Sequence, residues 1–456
     1  MPIIADLHVH SKYSRAVSQK MDLDGIAEWA SKKGIGLMAT GDWQHPLYFR
    51  EIKIKLKETS PGIYSLVRDA DLRPLHNVKF LLSTEISSIY SQGGKTRRIH
   101  YLVFAPSIQI AEKIIKELQK RGANLMSDGR PILGISAKDV LEMLLEIDEN
   151  ILLIPAHAWT PWYSIFGSKS GFDSVEECFG NMAKYIYAVE TGLSSDPIMN
   201  WQINDLNNRS IVSFSDAHSG PKLGRETTVF VPSQNSEPTT QNYSYQDIID
   251  AIKQKAESKL KIGYTIEFFP EEGKYHWSGH RACGVRYNAQ EVKEKGTVCP
   301  VCKQPLTIGV ENRVLDLSDK TINPEELIYL KNNAGLTFVY DKEKKRKPFV
   351  SLVPLLEILL EINNHSQIKA ENQYENLINN LGTEFEILIK KSYEEIEKIG
   401  GRDLKCAIQP LRERKVFVDP GYDGVFGVVK INSDVKSEDN EEKATNEGTE
   451  KQATLF

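Results

Sequence analysis

Ile3-Ile4-Ala5-Asp6-Leu7-His8-Val9-His10 opens as a short apolar run and ends in two imidazoles spaced two residues apart. On an extended strand residues i and i+2 share a face, so both rings can turn toward one point and hold one ion. That spacing alone is a weak signal. It gains weight from polar residues at the ends of later apolar runs: Asp42 and His45 in TGDWQHP, Glu85 in LLSTEIS, His100 in RIHYLV, His157 in IPAHA, Glu190 in AVETG, and Asp216 with His218 in FSDAH. Each by itself is explained as well by a hydrogen-bonded histidine or a capping carboxylate, but the whole set is not. The runs alternate with helical segments such as MDLDGIAEWASKKG, a rhythm that predicts an α/β barrel or sheet whose strand ends build the active site. Mixed imidazole and carboxylate donors suit Zn²⁺, Mn²⁺ or Fe²⁺ better than Mg²⁺ alone, and Glu85 is placed to bridge two or three such divalent ions.

In order and in type these motifs resemble the PHP (polymerase and histidinol phosphatase) family over about residues 1–235. The resemblance implies a distorted (β/α)7 barrel with a multinuclear metal centre that hydrolyses phosphoesters. It implies His8, His10, Glu85 and Asp216 as ligands of one ion, with Asp42 or His45, His100, His157 and His218 serving the others and Glu190 in the same set. Two departures stand out. Two residues separate Asp42 from His45 where many relatives have the pair adjacent, and SKYSRAVSQK offers no further histidine after the first motif. Asp42 and Asp216 are the catalytic carboxylates on this view, and Asp196 in ETGLSSDP is either a general base or a turn-forming residue before Pro197.

A second constellation follows. His280-Arg-Ala-Cys283, fifteen intervening residues, then Cys299-Pro-Val-Cys302 has the spacing of a Cys₃His zinc site, structural because it leaves no open position. His276 is a further candidate for the fourth ligand, while Cys178 and Cys406 read as ordinary buried thiols. At 456 residues the chain exceeds one hydrophobic core, and we expect a PHP domain over 1–262, a zinc-binding module over 263–320, a helical C-terminal domain over 321–432 and a disordered acidic tail over 433–456. That tail carries a net −4 of the chain's −5, which leaves room for a basic face on the body.

The barrel motifs followed by HWSGHRACGVRY, CPVCKQPLTIGV and PGYDGVFGVVKI are similar to the endonuclease Q family of PHP nucleases. That resemblance implies hydrolysis of the phosphodiester on the 5′ side of uracil, hypoxanthine, xanthine or an abasic site in DNA, leaving 3′-hydroxyl and 5′-phosphate ends. Such an enzyme must take the lesion out of the stack. Trp159, Trp162, Tyr163 and Phe166 are candidates to stack on it, and Ser168, Ser170 and Gly171 to donate to keto oxygens. Lys342-Glu-Lys-Lys-Arg-Lys347 is a candidate phosphate contact or a solvated loop. The terminal Gln452-Ala-Thr-Leu455-Phe456 resembles the peptide that bacterial proteins insert into the sliding clamp. The competing readings are a PHP phosphatase acting on a small monoester such as histidinol phosphate, and a DNA-binding adaptor with a degenerate barrel. No apolar run approaches the ~18 residues of a membrane span and no signal peptide precedes His8, so a cytoplasmic, nucleoid-associated protein is expected.

Overall fold

The computed structural model describes residues 2–67, 74–233 and 242–430, and in it the apolar runs become strands: His8, His10, His157, Asp216 and His218 follow strand ends, whereas Glu85 and His100 sit within the long strands Pro74–Gln92 and Lys95–Ala105. Ile3–Asp6, Leu37–Ala39 and the first half of Pro74–Gln92 lie parallel, with Ala5 beside Leu37 and Leu37 beside Lys79. Gly93 and Gly94, at φ 61° and 72°, then fold Pro74–Gln92 back onto Lys95–Ala105, so one hairpin interrupts the alternation of strand and helix. Lys95–Ala105 pairs in turn with Leu152–Pro155. Ala188–Glu190 and Ser210–Val212 form a parallel pair of their own. Single contacts carry the ring onward: Ala158 N donates to Glu190 O at 2.9 Å, and Val9 bridges in parallel to Ala217, back beside the first strand.

The helices begin and end for local reasons. Asp22 caps Leu23–Lys33 by accepting from Gly25 N, and Gly34 at φ 85° ends it; Ser107 and Ser136 cap Ile108–Lys120 and Ala137–Ile147 in the same way. Each turns an apolar face to the sheet, with Ile26 and Ala30, Ile114 and Leu118, and Val140 and Leu144 fully buried. Among the described residues no helix is long and apolar enough to cross a membrane.

One strand crosses an expected domain border. A break at 262/263 falls inside the strand Leu260–Glu267, which pairs with Thr227–Pro232 on one side and Phe349–Ser351 on the other. The segment PEELIYLKNN, expected to be helical, contains the strand Leu327–Lys331, paired antiparallel with Thr337–Asp341. Its turn decides this: Asn332 Oδ1 accepts from Ala334 N and Leu336 N, and Gly335 takes φ 83°, closing a hairpin that no helix can contain. The amphipathic stretch from Glu371 to Lys398 falls in three helices, Gln367–Asn380, Glu384–Ile389 and the start of Tyr393–Arg412. Gly382 at φ 127° and capping boxes at Thr383/Glu386 and Ser392/Glu395 cut it. The described chain closes on the antiparallel pair Phe417–Asp419 and Val428–Lys430. The tail from residue 431 and its clamp-like ending lie outside the described residues.

Helices and sheet are fastened by buried polar groups. Lys33 Nζ lies 3.0 Å from Glu384 Oε2, and Glu384 also accepts from Tyr374 Oη and Leu355 N. Arg412, fully buried, donates to the carbonyls of Leu388, Ala334, Ile387 and Lys391.

Candidate metal centre

His8 and His10 follow the first strand and turn the same way, as their spacing requires. His8 Nε2 comes within 3.9 Å of Glu85 Oε1 and 3.6 Å of Asp216 Oδ1, and His10 Nε2 within 3.2 Å of Glu85 Oε2 and 3.3 Å of Asp216 Oδ1. On the other side of Glu85, His100 Nδ1 is 2.7 Å and His157 Nε2 3.0 Å from Oε1. His218 joins His10 and Asp216 in a third grouping. Glu85 therefore stands between two sets of imidazoles, as expected of a bridging carboxylate.

The donor set fits a cation. His8 Nε2, His10 Nε2, His100 Nδ1 and Asp216 Oδ1 are buried and form no hydrogen bond despite their close neighbours, and they fall in overlapping donor groups that share His10 or Glu85. Burial opposes charge on His8 and His10, yet Glu190 and Asp216 around the first and Asp42 beside the second outweigh it and raise both well above the ordinary imidazole range. His100, buried beside Glu85, is instead pushed down to about 4 by loss of solvent. Carboxylates that draw protons onto buried histidines mark a place short of positive charge, which divalent ions at these donors would supply.

The structure separates this inner set from an outer one. Asp42, expected as a ligand and catalytic group, is not among the converging atoms. Its Oδ1 accepts from His10 Nδ1 at 3.0 Å, and Oδ2 accepts from Ser11 N and Ser11 Oγ at 2.6 Å and Ser14 Oγ at 2.9 Å. Glu190 likewise accepts from His8 Nδ1 at 2.9 Å and from His157 N at 2.7 Å. Both carboxylates stand behind a histidine and fix the tautomer that leaves Nε2 free to ligate. His45, also expected as a ligand, stacks on Tyr13 with ring centres 4.5 Å apart and is in none of the converging groups. Asp196 accepts from Met199 N at 2.9 Å, which caps the helix Pro197–Trp201, and it is in none of the converging groups. Asp42, His157 and Asp216 hold φ of 36°, 31° and 47°, a left-handed backbone no residue-type pattern announces.

The centre opens into a cavity of about 620 Å³ lined by Trp162, Tyr163, Tyr275 and Phe426, with Arg130, Lys222, Arg225 and Lys274 also on its wall. Of the aromatic candidates, Trp162 and Tyr163 reach it. Trp159 does not: it is buried against Phe166 and donates from Nε1 to Asn200 Oδ1 at 2.9 Å. Ser168 donates to Ile308 O, Ser170 accepts from Tyr163 N, and Gly171 packs on Gly167, so these three knit the loop together and do not line the cavity. Arg130, Tyr275 and Phe426 were not foreseen, because they come from MSDGRP, EEGKYH and PGYDGVFG, segments remote in sequence from every metal motif. The basic stretch 342–347 lies on another face, where Arg346 Nη1 donates to Leu206 O.

At the other constellation His280, Cys283, Cys299 and Cys302 bring their donor atoms within 4.8 Å of one another. Backbone hydrogen bonds from Cys302 and Val301 hold the Cys299 thiol down at about 7, favouring thiolate. His276 is elsewhere, buried with Nδ1 3.2 Å from Ser194 O, and drops out as a fourth ligand.

The chain is similar over nearly all its length to the lesion-specific endonuclease PfuEndoQ from Pyrococcus furiosus, at 28% identity and a TM-score of 0.76, covering 96% of this chain and 98% of that one. A complex of endonuclease Q with a 27-mer duplex carrying an abasic lesion at its active site matches at a TM-score of 0.78 and 28% identity, covering 97% and 99%. The chain is a PHP-type, endonuclease Q-like protein. This endonuclease Q-like chain is also 27% identical to the uncharacterized protein YqxK of Bacillus subtilis, over 94% of its own length and 99% of the other. With the uncharacterized protein MJ0043 of Methanocaldococcus jannaschii it shares 29% identity over 60% of its length, a stretch that spans only 31% of that protein. Residues 354–415 match the family described as the MJ0043 C-terminal domain.

Proposed function

We infer that this chain is a metal-dependent endodeoxyribonuclease of DNA repair, cutting the phosphodiester 5′ to a deaminated base (uracil, hypoxanthine or xanthine) or an abasic site. The observation that carries the reading is the convergence of unpartnered, buried His8 Nε2, His10 Nε2, His100 Nδ1 and Asp216 Oδ1 around Glu85 at a cavity walled by aromatic and cationic side chains. The duplex-bound endonuclease Q, which this chain matches over 97% of its length, supports DNA as the substrate. On this reading the strands Ile3–Asp6, Leu37–Ala39, Pro74–Gln92, Lys95–Ala105, Leu152–Pro155, Ala188–Glu190 and Ser210–Val212 of this chain make up the distorted (β/α)7 barrel of the PHP family.

His8, His10, Glu85, His100, His157, Asp216 and His218 would hold divalent ions, Zn²⁺, Mn²⁺, Fe²⁺ or Mg²⁺, which would supply Lewis acidity and acidify a water near neutral pH. The protein's part is positional. Asp42 and Glu190 orient His10 and His8, and Glu85 spans the two donor sets. Trp162, Tyr163, Tyr275 and Phe426 offer ring faces for a base flipped out of the stack. Lys222 and Lys274, over Phe426 at 5.6 and 4.5 Å, attract the flanking strand. His280, Cys283, Cys299 and Cys302 hold a structural Zn²⁺. The ending Gln452, Leu455 and Phe456 binds a sliding clamp on the acidic tether.

The test is an end-labelled duplex with one uracil, hypoxanthine or abasic site, incubated with the protein and Mn²⁺ or Mg²⁺. A single nick 5′ to the lesion, absent from the undamaged duplex and lost in Asp216→Ala and His8→Ala, is expected. Equal cutting of both duplexes, or hydrolysis of small monoesters alone, refutes the assignment.

A further inference from the structure

We propose that Arg130 is the residue that grips the phosphate to be cleaved, its guanidinium shared between Glu85 and a non-bridging oxygen of the scissile phosphodiester. The inference rests on the nuclease reading and gives a role to a residue which that reading leaves without one. The loop Met126-Ser127-Asp128-Gly129-Arg130 belongs to no metal motif, yet it is clamped to the outer side of the centre. Gly129 N donates to Tyr13 O at 3.0 Å, Gly129 O accepts from Gln44 Nε2, and Arg130 N donates to Asp128 Oδ1 at 3.1 Å. A Cβ at Gly129 would run into Ser14 Oγ and the Asp42 carboxylate, so only glycine lets the backbone lie this close to the groups that hold His10. Beyond Arg130, Pro131 O accepts from Ser87 N at 3.0 Å and Ile132–Leu133 pairs with Pro74–Gln92. Both flanks are fixed to the frame that carries Glu85, and Arg130 Nη1 meets Glu85 Oε2 at 3.0 Å.

The other cations of the cavity have partners other than Glu85. Arg225 donates from Nε to Ser215 O at 2.8 Å and from Nη2 to Asp216 O at 3.3 Å, and Lys222 and Lys274 sit over the exposed Phe426 ring. Arg130 alone among them touches the bridging carboxylate, and it keeps 28% of its side chain exposed on the cavity wall. A guanidinium has five N–H donors in a planar fork; Glu85 meets one nitrogen, which leaves donors for a non-bridging phosphate oxygen. In hydrolysis the water oxygen bonds to phosphorus, the P–O3′ bond breaks, and the protons pass to the 3′ oxygen and solvent. Arg130 keeps its proton throughout and meets the charge that builds on the non-bridging oxygens.

The test compares full-length wild type with Arg130→Ala and Arg130→Lys, each loaded with Mn²⁺ and checked for metal content and thermal unfolding. Inorganic phosphate binding is measured by calorimetry, and single-turnover cleavage on the lesion duplex. Expected are wild-type metal content, phosphate binding weakened about tenfold or more and cleavage slowed about 100-fold in Arg130→Ala. Added guanidinium ion should restore part of the Arg130→Ala rate, and Arg130→Lys should fall between the two; it also carries the test should the alanine variant not fold. Phosphate affinity unchanged in both variants overturns the proposal, as does a loss of rate that tracks lost metal and ignores guanidinium. If wild type cuts no lesion duplex yet Arg130→Ala still loses phosphate, the nuclease reading falls and the phosphate grip stands.

Discussion

Asp42→Asn separates a carboxylate that binds metal from one that only orients a ligand. Oδ1 of Asp42 accepts from His10 Nδ1, and Oδ2 accepts from Ser11 N, Ser11 Oγ and Ser14 Oγ. Asparagine must place an NH₂ at one of these positions. At the second it would face the Ser11 N–H, a donor that cannot turn away. At the first it would face His10 Nδ1 and favour the tautomer with the proton on Nε2, the atom aimed at Glu85 and Asp216. Either way a charge-assisted hydrogen bond in a fully buried spot is lost, about 1.5–3 kcal/mol. At 1.4 kcal/mol per decade that is ~10–100-fold in metal affinity, the range known for outer carboxylates. Competition with a graded chelator measures it, with cleavage followed as Mn²⁺ is raised. Weaker binding with near-wild-type turnover at saturating Mn²⁺ is expected. Unchanged affinity, or a lost rate that no Mn²⁺ concentration restores, would refute the outer role; the second result is that of a missing ligand.

Three further outcomes follow from the same structure. Cys299→Ser should release about one Zn²⁺ per chain, seen by elemental analysis, and loosen residues 278–307 toward proteolysis, since a Cys₃His site contributes folding energy outright; unchanged zinc would show that the module is held otherwise. Glu226 is buried with both carboxylate oxygens unpartnered, and burial together with Glu267 raises it well above its ordinary 4.5. The folded state therefore keeps a proton that the unfolded chain releases above pH 4.5, so this group's contribution to stability declines as pH rises from there. Glu226→Gln should match wild type in thermal unfolding near pH 4.5 and exceed it increasingly toward pH 8, by at most about 1.4 kcal/mol per pH unit; a gap that does not widen with pH would count against a protonated Glu226. Deleting Gln452 to Phe456 should leave cleavage of short duplexes intact and weaken binding to a bacterial sliding clamp in a pull-down or calorimetric titration; slower cutting of a free oligonucleotide would give the tail another purpose.

Much of the inner centre was legible in the chain. The i, i+2 histidines, a carboxylate or imidazole at the end of each apolar run, and the spacing of His280, Cys283, Cys299 and Cys302 are local facts, because strand period and zinc-knuckle geometry bind neighbours in sequence to one face or one ion. What the chain could not declare is rank. Asp42 and Glu190 have the same residue types as Glu85 and Asp216, and only the tertiary packing put two behind the histidines and two before them. The same holds for Arg130, Tyr275 and Phe426, brought to one cavity from three distant segments, and for Trp159 and Ser170, which the packing drew into the loop's own scaffold. A side chain's type and spacing decide what it can bind; which neighbour reaches it first is settled by long-range packing, which no local pattern records.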